Sequence, residues 1–230
     1  MSEGSIWLRP VRAAKGPVPE YSRTQIARAG VAVADSEGLV AVTMRRVAAE
    51  VGAGSASLYR YVSTRDELLE LMIDEASGEF ATVEASGNWV DDLLSLGREF
   101  RSIYLRHPWL LGAIGTAPPV GPNAIRFLEN ALALLEDVAA DPAVKLEAIA
   151  VFSGLVRLLV GFELERHSSR ESVSQWQADQ AAYLAHVAAD GEHPRLAAAL
   201  AGAGDPSESR PVFDRVLERV VPGLLREAQL

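Results

Sequence analysis

The sequence predicts an all-α protein: a small N-terminal three-helix unit followed by a larger helical body. Two observations carry that reading. Apolar residues recur at helical spacing along almost the whole chain, and no turn-bounded alternation marks a strand. Helix-start and helix-stop signals then cut this periodicity into lengths that suit packed helices.

The elements follow in chain order. Residues 1–20 hold three prolines and three basic residues without a helical period, and are expected to form a flexible basic arm. Ser22-Arg23-Thr24-Gln25 is a capping-box pattern, and Ile26, Ala29, Gly30, Val33 and Ala34 share one face of a helix ending near Gly38. Thr43 caps a second helix to Val51, Gly52-Ala53-Gly54 turns the chain, and Ser55–Tyr61 is a short third helix. Thr64-Arg65-Asp66-Glu67 is a second capping box and opens a helix to about Phe80. Asn88 caps a long helix that stops before His107-Pro108, because proline disfavours helical backbone in the residue before it. A short helix from Trp109 to Gly115, the loop "TAPPVGP" and a helix from Asn123 to Ala139 come next. Asp141-Pro142 starts the longest and most apolar helix, which reaches about His167. One more covers Ser174–Ala189. After the loop "GAGDPSES" a last helix runs from Pro211 to Ala228, with a kink at Pro222. The chain thus divides into an arm over 1–20, a three-helix domain over 21–66 and a body over 67–230, with the helix from Thr64 linking the last two.

Composition bounds the function. The chain has 230 residues, of which 49% are hydrophobic, enough for a packed core, and it has no cysteine. Disulfides, thiol catalysis and cysteine-ligated zinc are excluded. No apolar signal core is evident near the start. The longest apolar stretch, "AIAVFSGLVRLLVGF", is shorter than a membrane span and contains Arg157. A soluble cytoplasmic protein without a membrane partner is expected. The net charge of -9 is uneven: residues 1–65 carry nine Lys/Arg against five Asp/Glu, net +4, and the remainder carries 13 against 26, net -13. A basic end on an acidic body fits a nucleic-acid-binding end joined to a body with another task.

The stretch "TMRRVAAEVGAGSASLYRYV" supplies the motif. In a helix-turn-helix the two helices cross closely, so the first needs a small residue, the turn a glycine, and the second an apolar residue facing back. Ala48, Gly52 and Leu58 stand at that spacing, with Val47 and Val51 completing a small core. The second helix would enter a major groove with its N-terminal residues facing base edges. Gly54, Ser55, Ala56 and Ser57 are small enough for close backbone approach, and a serine hydroxyl serves either a base or a phosphate. Tyr59 and Tyr61 can donate to phosphates, Arg60 and Arg65 add charge, Arg45 can reach a guanine, and Thr43 at a helix start suits a phosphate. The alternatives are that the tyrosines cover the small core and that the arginines are solvated surface. Arg9, Arg12 and Lys15 of the arm are candidates for further groove or phosphate contacts.

Those residues, extended to "TMRRVAAEVGAGSASLYRYVSTRDELLELM", resemble the DNA-binding segment of the tetracycline-repressor (TetR) family over Ser22 to about Phe80. "FLENALALLED", "VGFELE" and "RPVFDRVLERVVPGLL" resemble the tetracycline-repressor core. The resemblance implies an N-terminal helix-turn-helix DNA-binding domain and a larger helical domain for effector binding and dimerisation. It further implies a homodimer, a near-palindromic double-stranded operator, a small-molecule effector and, most often, repression. The helices over Val144–Leu164 and Phe213–Leu225 are the expected dimer interface. Ligand cavities are mostly apolar with a few placed polar groups. Tyr104, His107, Trp109, Thr116, Phe127, Arg157 and Trp176 are the candidate effector residues, against the alternative that the aromatics are plain core and Arg157 forms a salt bridge. Glu165 matches a glutamate near the drug-bound magnesium of the tetracycline repressor, but the histidine that grips that metal has no match, so tetracycline is not implied. Glu163 and His167 are too few ligands for a metal, and no cofactor is expected. Enzyme motifs are absent: no G-x-S-x-G, phosphate-binding loop or H-E-x-x-H occurs. A helical interaction module that has lost DNA contact, or an activator of the same family, remains the alternative.

Overall fold

The computed structural model describes residues 5–9, 21–114, 120–171, 175–189, 191–201 and 211–225, and of 167–171 and 175–177 only the backbone. The reading head begins with α1 (Arg23–Glu37). Its capping box is complete: Gln25 N–H donates to Ser22 Oγ at 3.0 Å, and Ser22 N–H donates to Gln25 Oε1 at 2.8 Å. A one-turn 3₁₀ segment, Leu39–Ala41, leads to α2 (Met44–Val51) and α3 (Ser55–Leu58). Gly52 ends α2 in the left-handed region, φ 79° and ψ 22°, which a side chain would strain. Val47, Ala48 and Leu58 are buried, as the crossing of the two helices requires. α4 (Arg65–Ser77) lies along α1, and a Cβ at Gly30 would overlap the Met72 side chain, so the glycine sets how closely the two helices approach.

The body comprises α5 (Trp89–Arg106), α6 (Leu110–Ala113), α7 (Pro122–Ala133), α8 (Pro142–Glu171), α9 (Gln175–Ala189), α10 (Pro194–Ala201) and α11 (Val212–Val220). Gly97 of α5 leaves room for Phe152 of α8 and Leu217 of α11, both fully buried. α11 ends in a 3₁₀ turn, Val221–Gly223, at the expected proline kink. Among the described residues no helix is long and apolar enough to cross a membrane.

Four features differ from the sequence reading. The α-helical part of α3 is one turn, continued to Tyr61 by 3₁₀-type bonds such as Tyr61 N–H to Leu58 O at 2.9 Å. α4 and α7 stop at Ser77 and Ala133, several residues early. α10 has no counterpart in the sequence reading, which assigns nothing to "PRLAAALA". Residues 5–9 of the expected arm are also packed. Ile6 is buried, Arg23 Nη1 donates to the carbonyls of Ile6 and Arg9 at 2.9 and 3.1 Å, and Arg9 pairs with Glu67 and donates to Ser63 Oγ at 3.0 Å. Thus Arg9 is engaged on the head itself. Arg12, Lys15 and the rest of 10–20 lie outside the described residues.

Candidate nucleic-acid interface and effector domain

The exposed side of α2 and α3 carries the expected groups. Thr43 caps α2, accepting from Arg46 N–H at 3.1 Å. Its neighbour Arg45 is exposed and has no carboxylate partner among the described residues. Arg46 is different. It reaches Glu37 at 2.7 Å and Glu50 at 2.8 Å, and these bonds raise its pKa. Gly54, Ala56, Tyr59 and Arg60 are exposed, while Ser55 and Ser57 are half-buried at the helix start. Arg60 donates to Ser57 Oγ at 3.3 Å. The reading face therefore offers Arg45 and Arg60 as its cations, a small-residue helix start, and Tyr59, which is 53% exposed.

Two expected members do other work. Arg65 donates to the carbonyls of Val42 at 2.9 Å and Leu39 at 3.1 Å, so its guanidinium pins the 3₁₀ segment rather than standing free. Tyr61 is half-buried against the core, the covering role given above as the alternative. Glu67 of the second capping box bonds Ser63 N–H at 2.7 Å and pairs with Arg9, while Thr64 alone caps α4.

The expected effector residues separate into two groups. Tyr104 and Phe127 gather around Phe100. Tyr104 stacks on Phe100 with centroids 6.0 Å apart, and Phe127 meets it edge-on at 4.6 Å. Phe80, absent from the sequence-based set, joins at 4.7 Å from Phe100. Arg157 is half-buried on α8, and its field reaches the Tyr104 phenol. Burial, the larger influence, pushes that phenol up to about 12.

His107 and Trp109 form the other group, and they face the head instead. His107 Nδ1 lies 2.8 Å from Asp35 Oδ1, and Nε2 lies 3.2 Å from Glu79 Oε1. Trp109 Nε1 donates to the same Asp35 oxygen at 2.7 Å. A neutral imidazole has one N–H for these two acceptors, whereas the doubly protonated ring serves both. Arg106 also pairs with Glu79. This node borders an open cleft of about 600 Å³ between α1, α4 and α7, lined also by Arg28 and Arg126. Thr116 lies outside the described residues, as does the side chain of Trp176.

A further tie joins head and body. No local side chain caps α7. Asp74 of α4 accepts there from Asn123 N–H at 2.9 Å and Ala124 N–H at 3.1 Å, and the Asn123 amide donates to its other oxygen at 3.1 Å. Burial outweighs these bonds and holds the Asp74 carboxyl above its usual range. A Cβ at Gly121 would collide with this carboxylate and with the Trp7 ring. The sequence signal was present: an acidic residue three after Leu71, in register with a buried stripe. Asp35, exposed on α1, gave no such signal.

A three-helix head with a glycine-turned helix pair, joined through α4 to a larger helical unit, has the architecture of a helix-turn-helix DNA-binding protein. Residues 26–72 match the model for bacterial regulatory proteins of the tetR family, and residues 83–228 match the tetracyclin repressor-like C-terminal domain. The chain belongs to the TetR family. It is 34% identical over 226 residues to the HTH-type transcriptional repressor DrrR1 of Streptomyces coeruleorubidus, covering 95% of this chain and 83% of that protein. It is 30% identical to an HTH-type transcriptional regulator of Saccharopolyspora erythraea, covering 99% and 94%. Among solved structures, apo ActR of Streptomyces coelicolor superimposes with a TM-score of 0.75 at 27% identity, covering 93% of this chain and 99% of that one. ActR in complex with actinorhodin superimposes at 0.74 and 29%, covering 92% and 98%. The protein is therefore a DNA-binding transcriptional regulator of this family.

Proposed function

We propose that the protein is a homodimeric repressor that two copies of the α2–α3 unit seat on a two-fold symmetric operator, and that a small molecule bound in the body releases it. The observation that supports this best is α4. It packs on α1 in the head and caps α7 in the body, so the division at residues 66 and 67 falls inside one rigid helix, and a shift in the body moves the head. Contacts to DNA fall to Thr43, Arg45, the Gly54–Ser57 helix start, Tyr59 and Arg60. Arg65 and Tyr61 support them from behind.

Dimerisation is supported by unpartnered apolar surface on the two expected helices. Val151, Leu158 and Phe162 of α8 are 58, 53 and 53% exposed, and Val212 and Val220 of α11 are 41 and 36% exposed. A second copy would bury these faces as a four-helix bundle. DrrR1 is named a repressor, and ActR is known in complex with (S)-DNPA and with actinorhodin. Repression and release by a small molecule are carried over from these relatives. The head is basic and the body acidic, which orients the chain on DNA and leaves non-specific binding weak and salt-dependent. The test is binding of the purified protein to the DNA upstream of its own gene across a salt series. Tight, competitor-resistant protection of a two-fold symmetric site by two chains is expected. Binding that vanishes with salt and shows no symmetric site would reject the operator reading.

A further inference from the structure

The segment Ser5–Arg9 precedes the reading head and touches both halves of the molecule. A tight turn, Leu8 N–H to Ser5 O at 3.0 Å, sends its side chains in opposite directions. Ile6 is 1% exposed within the hydrophobic core, whereas Leu8 is 85% exposed. Arg23, the first residue of α1, donates to the carbonyls of Ile6 at 2.9 Å and Arg9 at 3.1 Å, so it grips the turn from below. Arg9 reaches Ser63 and Glu67 at the start of α4. The Trp7 ring lies against Gly121, the residue before α7, beside the Asp74 carboxylate that caps that helix. Trp7 also shares one open cleft with Ala27 of α1, Leu71 of α4 and Pro122 of α7. Gly121 has φ -82°, which any residue adopts, so its missing side chain supplies room and not backbone freedom.

A helix tied at one end can pivot, and a helix tied at both ends cannot. Asp35, in the last turn of α1, already meets His107 and Trp109 of the body. The segment 5–9 holds the first residue of the same helix and, through Trp7, the start of α7. Resting on the operator reading above, we propose that Ser5–Arg9 is a strap that docks on head and body together and fixes the angle at which each head meets the operator. Ile6 and Trp7 supply the apolar grip, and Arg23 is the positioning residue that holds their backbone. Arg9 is engaged by Glu67, so the strap acts through geometry and adds no cation to the DNA face.

The chain has no cysteine, so a single introduced thiol reports docking directly. In the full-length protein without DNA, Ile6→Cys should react with iodoacetamide about 10–100-fold more slowly than Leu8→Cys, the factor that burial of one apolar side chain supplies. Equal rates would overturn the strap. Positioning is read as binding of the full-length protein to the operator upstream of its own gene. Trp7→Ala should weaken that binding about 10-fold, because each of two heads loses about a factor of three in the population held ready. Trp7→Phe keeps a ring for Gly121 and should recover most of the affinity. The salt dependence should be the same in all three proteins, since no phosphate contact is lost. A lower unfolding midpoint in Trp7→Ala with wild-type affinity would overturn the positioning role and leave the segment a structural prop. A shallower salt slope would overturn it too, because the segment would then touch DNA itself. Should the wild-type protein protect no symmetric site, the operator reading fails and takes the positioning role with it, while a protected thiol at position 6 keeps the docked strap.

Discussion

At the reading face Arg45 and Tyr59 stand exposed, whereas at the junction behind it His107 and Asp74 are buried and meet two or more partners each. Both regions are polar, and in the proposed operator complex both bear on DNA binding. A residue of the face contributes when DNA arrives, so its removal should alter binding and leave the fold intact. A residue of the junction contributes in the free protein, because its removal leaves buried groups unpaired. A function residing in a two-domain geometry needs both kinds.

Substitutions can break this contrast, and the largest effect is expected at the junction. His107→Leu leaves Asp35 and Glu79 facing each other without the ring, and should cost about 2–3 kcal/mol, the cost being moderated because both carboxylates are partly exposed. Denaturant unfolding measures it, and an unchanged midpoint would remove the node from the account. Asp74→Asn comes next. It loses the ionic cap of α7 and should cost about 1–3 kcal/mol. Its pH dependence has a definite sign. The folded carboxyl sits above its ordinary value, so the native state binds that proton more tightly than the unfolded chain. Asp74 therefore adds stability as pH falls towards the folded value and loses it as pH rises through that value. The deficit of Asp74→Asn should widen in acid, and a deficit that narrows would contradict the burial argument.

At the face the effects are smaller and of another kind. Arg45→Ala should lose about 1–3 kcal/mol of discrimination between operator and mismatched sites, read by competition binding, with thermal stability unchanged. A stability loss instead would place Arg45 among the structural residues with Arg65. Tyr59→Phe is the mildest, about 0.5–1.5 kcal/mol of operator affinity through one phosphate contact, with the unfolding midpoint unmoved. Equal affinity would mean that the hydroxyl points away from the backbone.

The two regions also differ in how far they can be read from sequence. The helix-turn-helix rests on neighbours in the chain: Ala48, Gly52 and Leu58 lie within eleven residues of one another, and the caps Ser22, Thr43 and Thr64 act over three residues. The junction rests on pairs that are far apart. Asp35 meets His107 and Trp109 across 72 and 74 positions, and Asp74 reaches Asn123 across 49. For that reason His107 and Trp109 read as effector residues although they tie the head to the body. Arg65 reads as a DNA contact for the same reason, since its acceptors are carbonyls 23 and 26 residues back.

The sequence by itself determined the helical class, the family, the turn at Gly52 and the small-residue start of α3, because periodicity, capping and backbone permissiveness are local properties. Tertiary structure decided which arginines of the head are already engaged, where Arg9 and the segment around Ile6 dock, and which carboxylate caps α7. Those outcomes depend on partners that only folding brings together, and a charged side chain takes its role from the partner it meets.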